Sequence, residues 1–573
     1  MEFEYLCKFS TKKQYLVEFG KRKMFFSSFI LFIGLSVFCI HNVHAVWPVT
    51  GRHDDSWESL SLEQRAKITP FRTDFKEADI TTSDGITLKS IVFDPKPEKV
   101  RGKNPLLIFI SSWGVNKWEY VVPAHEYAKK GYTVVSYTAR GFWGSGGEIN
   151  LAGLLDQADI STVIDWALAN TNADPDRIGL SGISYGGGLS LLAAANDKRV
   201  KSAVSMSCWT DLAESLLGNG ETIRVESTKI LQALAYLFGE VGDDLELLFS
   251  DYFKNTDLDY IYTVAYNSSS VHFIDRINQN GAAIFIANAF GDTLLPPDQF
   301  PNQFYNKLTT NKHLEFSPGD HAGPEMLGLF GISDEVWTRA GQWNDYYVRD
   351  AKKDALSTMS PIILSTSYNS KEIETYKTWE EVTNSFMNFQ LDASEHLSSV
   401  SKNLRLKDTE LATITTGTNA GINGGVAIVT ATVTSIRQKP LSFNLNDISR
   451  QYAAVFKTDA VAQSTPIRGT TKFNVNIIPK TSSNGTLVMY LLDLDLSTNV
   501  GKLITFAPWT FKNAVVGQVL NLDTEITMIA YDLSAKNALA LVIQSHDPLF
   551  LDQSPAGAQI AFVSGSLAIP LHA

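Results

Sequence analysis

Cysteine is nearly missing from this chain. Of 573 residues only Cys7, Cys39 and Cys208 carry a thiol. Lys21-Arg22-Lys23, the apolar stretch Met24 to Ile40 and the small-residue site Val43-His44-Ala45 read as an export signal, with Val46 as the first mature residue. Met24 is then an alternative start to Met1. The apolar stretch is short for a spanning helix, so no membrane span is expected after cleavage, and the protein is expected to be periplasmic or secreted. Cleavage leaves Cys208 alone, which excludes an intramolecular disulfide. Cys208 ends an apolar run, which fits a buried, inert thiol. Beyond the N-terminus no long basic run occurs; the net charge is −12 and the pI about 5.4, which speaks against a nucleic-acid partner. There is no H-E-x-x-H and no Cys/His cluster, so neither a metal nor a cofactor is expected. Repeats and low-complexity linkers are also lacking, which implies a tight join between domains.

What is present is ordinary globular material, 44% hydrophobic and 19% charged, in a chain too long for one core. Ala78 to Phe93 alternates around a Ser83-Asp84-Gly85 turn and reads as a hairpin. Pro105 to Ser111 is a continuous apolar strand of the kind covered on both faces. A helix over Glu119 to Lys130, a strand over Tyr132 to Ala139, a helix over Leu154 to Asn170, and strands over Ile178 to Ile183 and Val200 to Cys208 follow. This alternation predicts a mostly parallel, doubly wound α/β sheet. Residues 209–281 carry helical patterns, Thr222 to Phe238 and Leu245 to Tyr262, without a strand, and read as a helical cap. The alternation resumes with a strand over Ala282 to Ala289, a helix near Asp298 to Leu308, a strand over His313 to Phe316 and a closing helix over Asp334 to Lys352. From about Ser360 short alternating runs such as Gly425 to Thr434, Thr471 to Ile478 and Thr486 to Leu492 predict an all-β jelly-roll or sandwich domain. The expected division is 1–45 leader, 46–355 α/β domain with its cap, and 356–573 β domain.

The chemistry centres on Gly182-Ile183-Ser184-Tyr185-Gly186. G-x-S-x-G between a buried strand and a small-residue helix is the setting of a nucleophile elbow, whose tight turn lifts the Ser hydroxyl clear of the sheet. In open α/β sheets functional residues lie at the carboxyl ends of strands. Asp292 and His321 each follow a strand there, completing the chain order Ser184, Asp292, His321 for a nucleophile, its orienting acid and its base. Asp211 and Asp320 are rival acids; His272, His313, His396 and His546 are weaker bases. The backbone N–H of Tyr185 and the Ser112-Trp113-Gly114 loop are the expected oxyanion hole. The glycine-rich Arg140 to Gly147 loop has neither the P-loop ending nor G-x-G-x-x-G spacing, and reads as a tight loop near the site mouth.

Elbow, Asp292 and His321 loops, Arg140-Gly141, helical cap, C-terminal β domain and the late Ser545-His546-Asp547-Pro548 segment together resemble the X-prolyl dipeptidyl-peptidase (S15) and cocaine-esterase-like family, which includes α-amino-acid ester hydrolases. The resemblance spans roughly residues 75–565. It implies serine acyl hydrolysis of a small ester or short peptide. The family's Tyr hydroxyl in the oxyanion hole corresponds here to Trp113, whose indole N–H donates but does not ionise. A free substrate amine requires a carboxylate, for which Glu221, Glu226, Asp243 and Asp244 in the cap are available. Two other readings stand beside X-Pro cleavage: an esterase without peptidase activity, and an inert fold whose β domain binds carbohydrate.

Overall fold

The structure is a computed structural model that describes residues 75–99, 102–350, 356, 359–368, 373–399 and 410–572. The leader pattern at 21–45 lies outside the described residues. Among them no helix is long and apolar enough to cross a membrane.

Ten strands form the central sheet: β1 (Phe75–Thr81), β2 (Thr87–Phe93), β3 (Asn104–Ile110), β4 (Thr133–Tyr137), β5 (Ala173–Ile183), β6 (Val200–Met206), β7 (Ala283–Ala289), β8 (Lys312–Ser317), β9 (Ile362–Ser365) and β10 (Ile373–Tyr376). Their spatial order is β1-β2-β4-β3-β5-β6-β7-β8-β9-β10. The run from β4 to β9 is parallel, with antiparallel β1, β2 and β10 at its edges. Every residue of β3, β4 and β7 is buried. The reason is double coverage: Leu106, Ile108 and Ile110 of β3 join the core that holds helices Leu154–Asn170 and Tyr185–Asn196. Leu107 and Phe109 point to the other core, built with helices Val121–Lys129 and Glu335–Tyr347. A period-2 strand thus feeds two apolar layers at once.

Between β6 and β7 lies the helical insertion expected as a cap: Leu212–Glu221, Val225–Phe238, Asp243–Lys254, Leu258–Asn267 and Ile274–Asn280. The single helix expected over Leu245 to Tyr262 is two. Asn255 and Asp257 both take left-handed backbone (φ 56° and 46°), which stops one helix and starts the next.

Among the described residues the C-terminal region is built of β-strands apart from one short α-helix, Thr430–Ile436, and a 3₁₀ turn, Trp379–Glu381. One sheet holds strands Ser385–Leu391, Leu397–Ser399, Ala412–Thr415, Thr465–Pro479, Leu520–Leu533 and Gln559–Leu571; the other holds Ser442–Asn444, Ala453–Lys457, Gly485–Asp495, Val500–Phe511 and Ala538–Gln544. Its join to the hydrolase part is polar and close. Met528 N–H and Thr470 Oγ1 donate to Asp298 at 2.9 and 3.1 Å, and Thr222 Oγ1 donates to Thr510 Oγ1 at 2.8 Å. Gly220 sits so near Thr510 that a Cβ there would lie 2.0 Å from its carbonyl oxygen.

Three further expectations are corrected. The central sheet does not end before residue 356: β9 and β10 complete it, because β9 adds in parallel to β8. Asp298 to Leu308 is not a helix but two single 3₁₀ turns, Pro297–Gln299 and Tyr305–Lys307. Pro296, Pro297 and Pro301 lack the N–H groups a helix needs. Gly425 to Thr434 is not a strand; Thr430–Ile436 is helical despite its β-branched residues. Its packing on the hydrolase loops, described below, overrides local propensity.

The sheet's tightest approach lies under the elbow. A Cβ on Gly186 would fall 2.0 Å from the Ile110 carbonyl oxygen, and one on Gly182 would fall 2.4 Å from the Gly186 carbonyl carbon. Gly186→Ala must therefore push the elbow helix off β3. The expected result is a destabilisation of about 1–3 kcal/mol or more, read as a lowered thermal unfolding midpoint; an unchanged midpoint contradicts the packing.

Candidate active site

Ser184 stands between β5 and helix Tyr185–Asn196 with φ 55° and ψ −117°. A non-glycine residue in this region is strained and persists only where its surroundings hold it. Its N–H donates to the Met206 carbonyl at 2.8 Å, and the glycines on either side let the helix start directly on the strand. On the preceding residue, Ile183 N–H donates to Tyr120 Oη at 2.8 Å, while the Ile183 carbonyl accepts from Ser112 Oγ at 3.0 Å. The strained turn is thus bonded from both flanks.

His321 follows β8 and Asp292 follows β7. The structure brings both to Ser184. His321 Nε2 lies 2.9 Å from Ser184 Oγ, and Nδ1 lies 2.9 Å from Asp292 Oδ2. An ionised carboxylate only accepts, so Nδ1–H donates to Asp292 and Nε2 is left to accept the Ser184 hydroxyl proton. The other Asp292 oxygen accepts from Leu294 and Leu295 N–H at 3.0 and 2.7 Å, which fixes the carboxylate plane. All three side chains are buried, with Ser184 and His321 each 8% exposed. Burial alone pushes the imidazole pKa down, but the Asp292 charge and hydrogen bond outweigh it, with Asp320 adding to them, so the net shift is upward.

The expected oxyanion elements divide. Tyr185 opens the helix, and its N–H is one of the donors that has no partner within the helix. Its ring serves elsewhere, the hydroxyl donating to Asp156 at 2.7 Å and accepting from Ala152 N–H at 2.6 Å. Trp113 packs edge-on against Tyr185 and Phe142, but its indole N–H donates to the Leu231 carbonyl of the cap at 2.8 Å. That corrects the side-chain half of the expectation, since an N–H already bonded to a carbonyl has no proton left for an oxyanion. Ser112 N–H is likewise taken, by Glu119 at 2.7 Å.

The rival residues sit in structural roles. Asp211 caps a helix through Glu214 N–H. His313 bonds the Ser360 carbonyl and Glu315, and His272 stacks on Tyr266. His396 lies between Ser398 and Asp459, and His546 faces Asp552. Of the cap carboxylates, Glu226 accepts from Ala427 N–H, Glu221 pairs with Lys512, and Asp243 and Asp244 occupy the first turn of a helix. Cys208 is buried and unpaired, its thiol pushed up to about 12 by desolvation.

Sequence reasoning missed a set of buried carboxylates. Burial raises Glu119 to about 7, Asp156 to about 7 and Glu325 to about 8. Glu119 holds the Ser112 backbone and hydroxyl; Glu325 accepts from Ser207 Oγ, which in turn accepts from Ala322 N–H. None of these lies in a motif, so no signal was available in the chain. A cavity of about 70 Å³ opens at the junction with the C-terminal region. It is lined by Phe290, Gly291, Thr293, Gly319 and Ala431 among others, but by none of Ser184, Asp292 and His321.

Fold and constellation define an α/β-hydrolase. Residues 84–323 match the family model of the X-Pro dipeptidyl-peptidase (S15 family), and this stretch is similar to the S15 and cocaine-esterase-like hydrolases that its motifs resemble. An aminopeptidase from a marine sediment Thaumarchaeota archaeon covers 87% of this chain and 97% of its own at TM-score 0.65 and 13% identity. An α-amino acid ester hydrolase covers 92% and 100% at TM-score 0.66 and 14% identity. A CocE/NonD family hydrolase from Staphylococcus aureus covers 87% and 93% at 0.64 and 13%. At these identities the likeness is one of fold. Among curated proteins, an uncharacterized 31.7 kDa protein of Escherichia coli is 34% identical over 134 residues, 23% of this chain and 46% of its own length. A polyketide transferase of Penicillium sp is 32% identical over 139 residues, 24% and 45%. The chain spans about half the length of the curated relatives it matches.

Because the Trp113 indole is spent on the cap, Trp113→Phe should lower kcat by less than about fivefold while making the cap more sensitive to limited proteolysis. A loss of about 10²–10³ in kcat, the usual cost of one oxyanion donor, would put the indole back in the hole.

Proposed function

We propose that the protein is a serine hydrolase that cleaves an ester or amide bond through an acyl-enzyme. The observation that carries this reading is the unbroken hydrogen-bond line Ser184 Oγ, His321 ring, Asp292 carboxylate, at 2.9 Å for each link. In this reading Ser184 Oγ attacks the substrate carbonyl as its proton passes to His321 Nε2. The imidazolium formed is stabilised by Asp292, then protonates the leaving group. Water repeats the cycle in reverse and frees the acid. The oxyanion is held by the Tyr185 N–H at the helix start and by the Trp113 backbone N–H, the neighbour of the Ser112 N–H that Glu119 occupies. Ser184 keeps a strained backbone, and strain of this kind is retained where a mechanism uses it; this supports turnover over an inert binding fold.

Esters are the better-supported substrate class. A dipeptide with a free amino terminus needs an available carboxylate, and Glu221 and Glu226 are engaged in contacts with the C-terminal region. X-Pro peptide cleavage is the second reading, favoured by the S15 match over residues 84–323. Comparing turnover of aryl esters with Xaa-Pro-anilides separates the two. The leader pattern supports an exported setting, and Cys208, the one thiol among the described residues, makes no demand on the redox state there.

Ser184→Ala is expected to lower kcat by about 10⁴–10⁶ and to abolish labelling by a fluorophosphonate probe; labelling that survives the substitution would sink the assignment. The base must be neutral to accept a proton. With the His321 pKa raised above its ordinary 6.5, kcat/KM should rise with pH along an acid limb whose midpoint lies above that value. A midpoint below it excludes His321 as the base.

A further inference from the structure

We infer that Asp320 is a positioning residue: one of its carboxylate oxygens pins the loop bearing Asp292 to the loop bearing His321, and Ile428–Thr432 of the C-terminal region braces that pin from outside. The inference rests on the triad reading above and extends it to two elements the triad does not contain.

The pin is a single atom. Asp320 Oδ1 accepts from Thr293 N–H, Thr293 Oγ1 and His321 N–H, each at 2.9 Å. Two of these donors belong to the residue that follows Asp292; the third is the backbone of His321 itself. The bonds thus span the two loops whose separation sets the Asp292–His321 contact. Asp320 does not replace Asp292 as the orienting acid, for it is Asp292 that meets Nδ1. Asp320 is fully buried, and its Oδ2 has no hydrogen-bond partner among the described residues. A buried carboxylate oxygen left unpartnered is costly and calls for an explanation. An apolar residue would avoid that penalty only by leaving the Thr293 and His321 donors without an acceptor, so the carboxylate is retained for the two loops that its other oxygen joins.

The brace comes from a segment that local pattern marked as a strand. Ile428 N–H donates to Thr293 Oγ1 at 2.8 Å, and Asp320 N–H donates to Thr432 Oγ1 at 3.0 Å. Contact is close enough to need glycine on the hydrolase side. A Cβ on Gly291 would lie 2.7 Å from the Ala431 Cβ, and one on Gly323 would lie 2.3 Å from Thr432 Oγ1. Residues 428–432 carry no charge. The charged and titratable groups around the pin are therefore those of the hydrolase part: Asp292 and His321 on the joined loops, Glu325 beyond Ala322, and Arg224 of the cap, whose Nη1 lies 3.5 Å from the Thr293 carbonyl. Burial and the neighbouring Asp292 push the Asp320 carboxyl up to about 7, and its charge when ionised favours the His321 imidazolium.

The test uses the full chain, with p-nitrophenyl acetate as substrate and a fluorophosphonate as active-site titrant. Asp320→Ala removes the acceptor and should lower kcat by roughly 10- to 100-fold with KM within about twofold, since loops displaced by a fraction of an ångström lose reaction geometry before binding. Asp320→Asn keeps the accepting oxygen and removes the charge. It should hold kcat within about threefold of wild type and move the acid limb of kcat/KM down by about half a pH unit, because the imidazole loses a nearby anion. Thr432→Val, which removes only the outer brace, should cost about threefold or more in kcat alone. Should Asp320→Ala fail to fold by circular dichroism, the other two variants decide. Wild-type turnover and an unmoved acid limb in Asp320→Asn and Thr432→Val overturn the pin, as does equal loss in Asp320→Ala and Asp320→Asn. A wild-type protein that never labels at Ser184 overturns the triad reading and the pin together. Normal labelling with unaffected variants removes the pin alone.

Discussion

Everything at the site depends on a backbone held where it does not want to be. Ser184 at φ 55° is tolerated only because the chain cannot relax in any direction. Gly186 lies against the Ile110 carbonyl, Gly182 lies against Gly186, and Met206 takes the Ser184 N–H. Relaxing the turn would mean prising the elbow helix away from β3, and that costs more than the order of 1–3 kcal/mol stored in such a conformation. The same close fit aims the hydroxyl. Because the strand runs straight into the helix, the Ser184 Oγ stands at the start of the helix, 2.9 Å from His321 Nε2.

The electrostatics follow from burial more than from pairing. Around Ser184 the chain buries Glu119, Asp156, Asp320 and Glu325, each pushed well above the ordinary carboxylate range. Each hydrogen-bonds a piece of the loop scaffold: Ser112, Tyr185, Thr293 with His321, and Ser207. Carboxyl groups with two accepting oxygens suit this work because one oxygen can gather donors from segments distant in sequence. Of them, Asp320 acts on the His321 imidazole and, together with Asp292, favours its charged form in a medium where screening is weak.

Much of this was legible in the chain. Continuous apolar runs marked β3, β4 and β7 because a sheet covered on both faces needs no polar alternation, and G-x-S-x-G between such a run and a small-residue helix marked the turn. Placing Asp292 and His321 after successive strands needed only the rule that parallel strands end at one edge. The failures share a physical cause, which is that partners were out of view. Gly425 to Thr434 has the β-branched alternation of a strand, yet it lies against Gly291 and Gly323, where a turn of helix presents Ala431 and Thr432 to them. The Trp113 indole looked free because its acceptor, the Leu231 carbonyl, is 118 residues away. Residues 362–376 fell on the wrong side of the boundary expected at 356 because a short strand records its pleat but not its sheet.

The division into two domains therefore describes the chain's layers better than its working parts. The segment that bears on the acid and base loops comes from after the central sheet has closed, and it reaches the cap as well, through Ala427 N–H to Glu226. From the cap, Glu226 N–H and the Ile223 carbonyl are bonded in turn to Leu549 and Leu551 of the C-terminal region. A hydrolase sheet can place a serine, an acid and a histidine at one edge by topology alone. Holding the last two at hydrogen-bond distance across separate loops is a matter of packing: Asp320 joins the loops, and residues more than a hundred positions downstream brace it. Cutting the chain after β10 would leave the three side chains in place along the sequence while removing what Thr293 and Asp320 lean on.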